Sequence, residues 1–163
     1  MLTFTPHMQT RMLRRTLIAA VLLAGCHKAS APIAPPPEPL TLLGEATKHY
    51  ASVLKGTSVD SVVAAYTQDG ELHLPGMAPL KGRDAIRKFL LPLIDQTTVE
   101  SVQMDVDSVV LNALSAEQDG HYRQRAGPKG GAARDYKGRF HATWRFEPGG
   151  QWRLSRLTMT SDA

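Results

Sequence analysis

Residues 138–159 constrain the fold of this chain more than any other stretch. Their first half alternates polar side chains with the apolar residues Phe140, Ala142, Trp144 and Phe146. A period of two is typical of a β-strand that has one buried face. Residues 147–150 read Glu-Pro-Gly-Gly, which favours a tight turn, and Trp152 and Leu154 then begin a second strand. The sequence therefore predicts a β-hairpin on which the rest of the domain packs.

Length and charge limit the classes of protein that this chain can belong to. Its 163 residues suffice for one domain with a hydrophobic core. Of its 19 Lys and Arg residues, three lie in the N-terminal leader, so 16 remain against 15 Asp and Glu residues. This balance does not support a nucleic-acid-binding surface, which needs a basic patch. Cys26 is the single cysteine, so an intrachain disulfide is excluded.

Residues 1–25 are typical of a secretory signal peptide. Three arginines precede an apolar run over residues 17–24, which is much shorter than the ~20 residues that span a bilayer. The run closes with Leu23-Ala24-Gly25-Cys26, which resembles the lipobox of bacterial lipoproteins. That resemblance implies cleavage after Gly25 and acylation of Cys26 by chains such as palmitate, which anchor the protein to a membrane.

The residues after the cysteine indicate a location. His27 stands where enteric lipoproteins retained in the inner membrane tend to carry Asp, so the resemblance favours the periplasmic face of the outer membrane. Two alternatives are an ordinary leader with a cysteine placed by chance and, from Arg14 and Arg15, a twin-arginine export signal. Residues 26–40 form the lipidated cysteine and a Pro/Ala-rich tether, which is expected to be a polyproline-like spacer.

Residues 41–163 form the predicted folded domain. Apolar residues at helical spacing predict three helices, over residues 43–54, 59–66 and 84–93. We expect Asp69-Gly70 to end the second helix and Pro92 to kink the third or mark its last turn. A short strand over residues 71–74 and long antiparallel strands from Val99 onward complete the pattern. The predicted class is α+β, with about three helices on a curved antiparallel sheet of four to six strands.

This order of elements resembles the SnoaL-like group of the nuclear transport factor two-like superfamily. The most specific motifs are Gly82-Arg83-Asp84-Ala85-Ile86 and the combination of Trp144 with Gly149-Gly150-Gln151-Trp152. The resemblance covers residues 41–160 and implies a cone-shaped fold that encloses a pocket. The superfamily includes ketosteroid isomerase, polyketide cyclases, dehydratases and members without known activity, so the fold alone assigns no reaction.

Strand alternation within this fold predicts which side chains face the pocket. From the strands these are Val102, Met104, Val106, Gln118, Tyr122, Phe140, Ala142, Trp144 and Phe146. Tyr50 and Tyr66 are expected to reach the pocket from the helices. The polar groups in this set are phenols and an amide, which orient a ligand but do not abstract a proton at neutral pH.

Isomerase or cyclase chemistry would need a carboxylate or histidine base in the pocket. Alternation directs most such residues outward, namely Asp105, Asp107, Glu117, Asp119, His121 and His141. His73, which a bulge near Pro75 could turn inward, is the leading catalytic candidate, and Asp69 is the second. His121 and His141 could meet on neighbouring strands, but the sequence offers no third ligand, so neither a metal nor a cofactor is predicted.

Two functions from different classes follow. In the first, a lipid-anchored domain binds a small apolar ligand or a protein partner without catalysis, and its outer sheet face is available for a homodimer. In the second, an isomerase, dehydratase or cyclase acts on a small apolar substrate through His73 or Asp69. A further alternative is that packed aromatic side chains fill the cone and leave no pocket. The outward placement of the acids and histidines favours the first function.

Overall fold

The computed structural model describes residues 39–162. The predicted signal peptide, Cys26 and the predicted tether up to residue 38 lie outside the described residues. The elements in chain order are α1 (Pro39–Val53), α2 (Val59–Ala64), β1 (Tyr66–His73), β2 (Leu80–Lys81), α3 (Arg83–Gln96), β3 (Thr97–Leu111), β4 (Ser115–Pro128), β5 (Arg134–Glu147) and β6 (Gln151–Ser161). In this part of the chain, no helix combines the length and the hydropathy needed to cross a bilayer.

The six strands form one sheet in the order β2-β1-β6-β5-β4-β3. Neighbours are antiparallel except β1 and β6, which are parallel. α1 contacts β3 and β6, while α3 contacts β1 and β2 and packs against α2. The predicted α+β class, with three helices and a sheet of six strands, is confirmed, but the sheet is not wholly antiparallel because β1 and β6 run parallel.

The C-terminal hairpin forms as predicted. Phe146 of β5 lies opposite Trp152 of β6, and their ring centroids are 5.1 Å apart. The amide of Gly150, which has a φ of 76°, donates to the carbonyl of Glu147 at 2.9 Å. This positive φ explains why glycine occupies the last position of the turn.

Two glycines allow close approach between neighbouring strands. A Cβ atom on Gly138 would lie 1.8 Å from the carbonyl oxygen of Thr160, and one on Gly120 would lie 2.2 Å from that of Asp105. Any larger residue would push these backbones apart, so both positions require glycine. The sheet can therefore curve towards the helices at these points.

The predicted end of the second helix is wrong. α2 ends at Ala64, and Tyr66 begins a strand in which Asp69 and Gly70 are interior residues. The amide of Leu154 donates to the carbonyl of Ala65 at 2.9 Å, and Tyr66 then pairs with Leu154 in parallel register. Pairing with β6 therefore overrides the helical spacing of the local sequence.

Two further expectations are corrected at other elements. α3 continues through Pro92 to Gln96, so the proline does not mark its last turn. Val106 was expected to face the core, but it is 38% exposed. The pairing of β3 with β4 shifts register between Val106 and Ser108, and this irregularity breaks the alternation on which the expectation relied.

Candidate functional site

Aromatic side chains fill one end of the space between the helices and the sheet. Trp144 is 1% exposed, and its indole N–H donates to the Oε1 atom of Gln118 at 2.9 Å. The hydroxyl of Thr47 on α1 lies 2.9 Å from the same oxygen. Phe140 is buried in this cluster and Met104 packs against it. Gln118, Phe140, Trp144 and Met104 were predicted to line the pocket, and the structure places all four outside the lining of the cavity.

A cavity of about 600 Å³ occupies the other end. Its buried floor consists of Tyr50, Val62, Leu72, Tyr122 and Ala126. One wall comes from α3, which contributes Phe89, Leu90, Leu93 and Ile94. A volume of this size, with mainly apolar walls, suits one small organic ligand.

Tyr50, a residue of the floor, forms a buried hydrogen-bonded pair with Tyr66, which does not line the cavity. Their hydroxyl oxygens are 2.7 Å apart, and the rings meet edge to face. Burial raises the pKa of Tyr50 to about 12 and that of Tyr66 well above its usual value. Both phenols are therefore neutral at pH 7, and they can donate or accept a hydrogen bond but cannot act as bases.

The geometry of this pair allows either hydroxyl to be the donor. Only one of the two hydroxyl protons can lie between the oxygens, and Tyr66 is fully buried and does not line the cavity. An arrangement in which Tyr66 donates to Tyr50 satisfies the buried hydroxyl of Tyr66. In that arrangement the hydroxyl proton of Tyr50, a residue of the cavity floor, is left for another partner.

The mouth of the cavity is polar and positively charged. The exposed residues there that carry polar side chains are Lys55, Thr57, Thr98, Lys129 and Tyr136. Lys55 follows α1, and Lys129 lies in the connection between β4 and β5, where its backbone amide donates to the carbonyl of Gln96 at 2.8 Å. That bond joins the β4–β5 connection to the end of α3, so both sides of the mouth are held by regular elements.

The two catalytic candidates lie on β1 but outside the cavity. Leu72 and Leu74 line the cavity, whereas the intervening His73 has its Nε2 atom 2.8 Å from Glu71. Asp69 is bonded to Arg145, and this hydrogen bond holds the pKa of Asp69 below its usual value. No Asp, Glu or His of residues 39–162 is among the residues that line the cavity.

The histidines of the outer sheet face do not form a metal centre. His121 lies 2.8 Å from Asp107, and His141 lies 2.9 Å from Asp119. Each histidine thus has its own aspartate partner. Within the described residues, no group of three His, Cys, Asp or Glu side chains is arranged to hold a metal ion.

The chain is similar to a known domain family and to solved structures. A family model described as a SnoaL-like domain matches residues 46–154. No curated protein matches the sequence. A ketosteroid isomerase-like protein from Erwinia carotovora atroseptica superposes with a TM-score of 0.69 at 20% identity, covering 78% of this chain and 99% of its own.

Two other solved structures are similar. For a conserved protein from Planctomyces limnophilus the TM-score is 0.68 at 16% identity, with 76% of this chain and 97% of that protein covered. For a nuclear transport factor 2 (NTF2-like) superfamily protein from Salmonella enterica serovar Typhimurium it is 0.61 at 14% identity, with 74% and 89% covered. At these identities the likeness shows the fold alone, which is the α+β NTF2-like fold.

Proposed function

We propose that this chain, which belongs to the SnoaL-like domain family, binds a small apolar ligand without catalysis. The fold of the family does not by itself dictate a reaction. The observation that carries this proposal is the cavity of about 600 Å³, whose lining offers apolar side chains, neutral donors and two lysines but, among residues 39–162, no carboxylate or imidazole. We further propose that acylated Cys26 anchors the domain in the cell envelope, at the periplasmic face of the outer membrane.

The cavity favours binding through burial and one oriented donor. Its floor and its α3 wall remove apolar surface from water, which supplies most of the affinity for a ligand of this kind. When Tyr66 is the donor within the pair, the proton of Tyr50 adds a hydrogen bond to an oxygen of the ligand. A ligand without such an oxygen would leave this buried donor unpaired, so Tyr50 provides selectivity.

The placement of the acids and histidines argues against catalysis in this cavity. A general base must lie within hydrogen-bond reach of the proton that it removes, directly or through one water. His73 bonds Glu71 and Asp69 bonds Arg145, and neither residue lines the cavity. Tyr50 is neutral at pH 7, so it can hold a ligand oxygen but cannot begin an isomerisation.

A fluorescent ketone tests the proposed site. We expect 6-propionyl-2-dimethylaminonaphthalene to bind the mature chain at one saturable site, and Tyr50→Phe to weaken it about five- to tenfold by removing one hydrogen bond. His73→Ala and Asp69→Asn are the matched controls and should leave the Kd unchanged. Fluorescence titration measures all four proteins. The absence of saturable binding to the wild type, or a large loss in either control, would contradict the proposal.

A cysteine substitution tests the proposed anchor. Cys26→Ser should move the protein from the membrane fraction to the soluble periplasm, because it removes the atom that carries the acyl chains. Cell fractionation followed by detection of the protein measures the change. A Cys26→Ser protein that stays with the membrane would rule out anchoring through this residue.

A further inference from the structure

The charge at the mouth of the cavity has a single sign. Lys55 and Lys129 are the charged residues that line the cavity, and they come from different parts of the chain, after α1 and after β4. Both side chains are exposed. No carboxylate of residues 39–162 lines the mouth, so nothing there neutralises the two ammonium groups.

Within residues 39–162, neither lysine is held by an ion pair. Among residues 39–162, Lys81 is the lysine that forms one, at 3.6 Å from Glu71. The acids near the β4–β5 connection have another partner, because Glu100 and Asp135 both bind Arg125. The ammonium groups of Lys55 and Lys129 therefore remain available to a ligand.

We propose that the ligand is an anionic amphiphile, with its apolar body in the cavity and a carboxylate, sulfonate or similar group at the mouth between Lys55 and Lys129. This inference rests on the proposed function and adds the chemical class of the ligand. Hydrogen bonds between an ammonium and an anionic oxygen are stronger than neutral ones. Apolar walls below a cationic mouth thus match a molecule with an apolar body and one charged end.

A competing explanation assigns both lysines to the helices. Lys55 follows the end of α1, Lys129 lies beside the end of α3, and a cation near a helix C-terminus stabilises the helix. That role would appear in protein stability and would not depend on the charge of a ligand. A pair of ligands that differ in one charged group therefore separates the two explanations.

Two dyes form such a pair. 1-Anilinonaphthalene-8-sulfonate and N-phenyl-1-naphthylamine share one apolar framework and differ by the sulfonate. The protein for the titration is the full mature chain, residues 26–163, with Ser at position 26, so that no detergent competes for the dyes. We expect the sulfonate dye to bind about tenfold more tightly than the neutral dye at low salt, and its advantage to shrink as salt is added.

Variants of the two lysines test whether they cause the tighter binding of the sulfonate dye. Lys55→Met and Lys129→Met should each weaken the sulfonate dye about fivefold, as expected for a partly exposed charge pair, and should change the neutral dye less than twofold. Lys48→Met is the matched control, because Lys48 is an exposed lysine of α1 that does not line the cavity. It should change neither dye, and thermal unfolding confirms that each variant is folded.

The outcomes separate the two proposals. Equal affinity for both dyes, or a loss in the lysine variants that is the same for both dyes, would overturn the anionic ligand while the apolar cavity site stands. If neither dye binds at a saturable site, the proposed function fails as well. A selective loss of the sulfonate dye in Lys55→Met and Lys129→Met is the result that the proposal requires.

Discussion

Replacing Trp144 with alanine should lower the free energy of unfolding by about 3–5 kcal/mol. The side chain is 1% exposed, so the substitution removes a large apolar surface from the core and leaves a void there. It also removes the indole donor to Gln118, which leaves a buried acceptor with one partner fewer. Urea or guanidinium unfolding, followed by circular dichroism, measures the change.

An exposed aromatic residue of the same strand provides the control. Tyr136 of β5 is 51% exposed, so Tyr136→Ala should change the free energy of unfolding by no more than about 0.5 kcal/mol. If Trp144→Ala is as mild as this control, the indole is not part of the core. The description of Trp144 as a side chain that fills one end of the domain would then be wrong.

The second large effect concerns the cavity itself. Ala126 is buried on the floor of the cavity, and Ala126→Phe would project a ring into the space that the ligand needs. We expect affinity for 6-propionyl-2-dimethylaminonaphthalene to fall about 100-fold, because forced overlap in a packed site costs up to ~3 kcal/mol. The fold should be stable, since the ring enters existing space. Fluorescence titration and thermal unfolding measure the two quantities.

A phenylalanine placed elsewhere controls for added hydrophobic surface. Ala64 ends α2, is exposed and does not line the cavity, so Ala64→Phe should leave the Kd unchanged. Full affinity in a folded Ala126→Phe protein would mean that the dye binds at another place. That result would contradict the proposal that the ligand binds in the cavity.

The strands were the most predictable part of the fold. Period-two alternation is a local property, so Phe140, Ala142 and Trp144 could be assigned to the buried face from sequence alone. Tyr66 could not be placed in the same way. It lies at helical spacing from Val59 and Val62, but it forms part of a strand because it pairs in parallel with β6. That pairing joins residues far apart in the chain, so local sequence does not predict it.

The cavity was harder to predict than the core. Alternation gives the face of a strand on which a side chain lies, but it does not show which end of that face is open and which is filled. Tyr122 and Trp144 share the inward face, yet Tyr122 lines the cavity and Trp144 fills the opposite end. The apolar stripe of α3 was visible in the sequence, but its packing over the floor depends on the tertiary fold.

The sequence also did not predict which residues lie at the mouth of the cavity. Lys55 and Lys129 are 74 positions apart, and neither belongs to a recognisable motif. The stretch around Lys129 is rich in glycine, which is typical of a connection between strands and indicates no binding site. The hydrogen bond from the amide of Lys129 to the carbonyl of Gln96 places this lysine at the cavity mouth, and that bond requires the folded domain.

Native mass spectrometry of the protein purified from its own cells tests the central claim most directly. If the cavity binds an apolar ligand, the wild type should retain a small molecule at one copy per chain, and Ala126→Phe prepared in the same way should not. The retained mass would also show whether the ligand carries an anionic group. An unliganded mass for the wild type, identical in form to that of Ala126→Phe, would contradict the account of this domain as a ligand-binding protein.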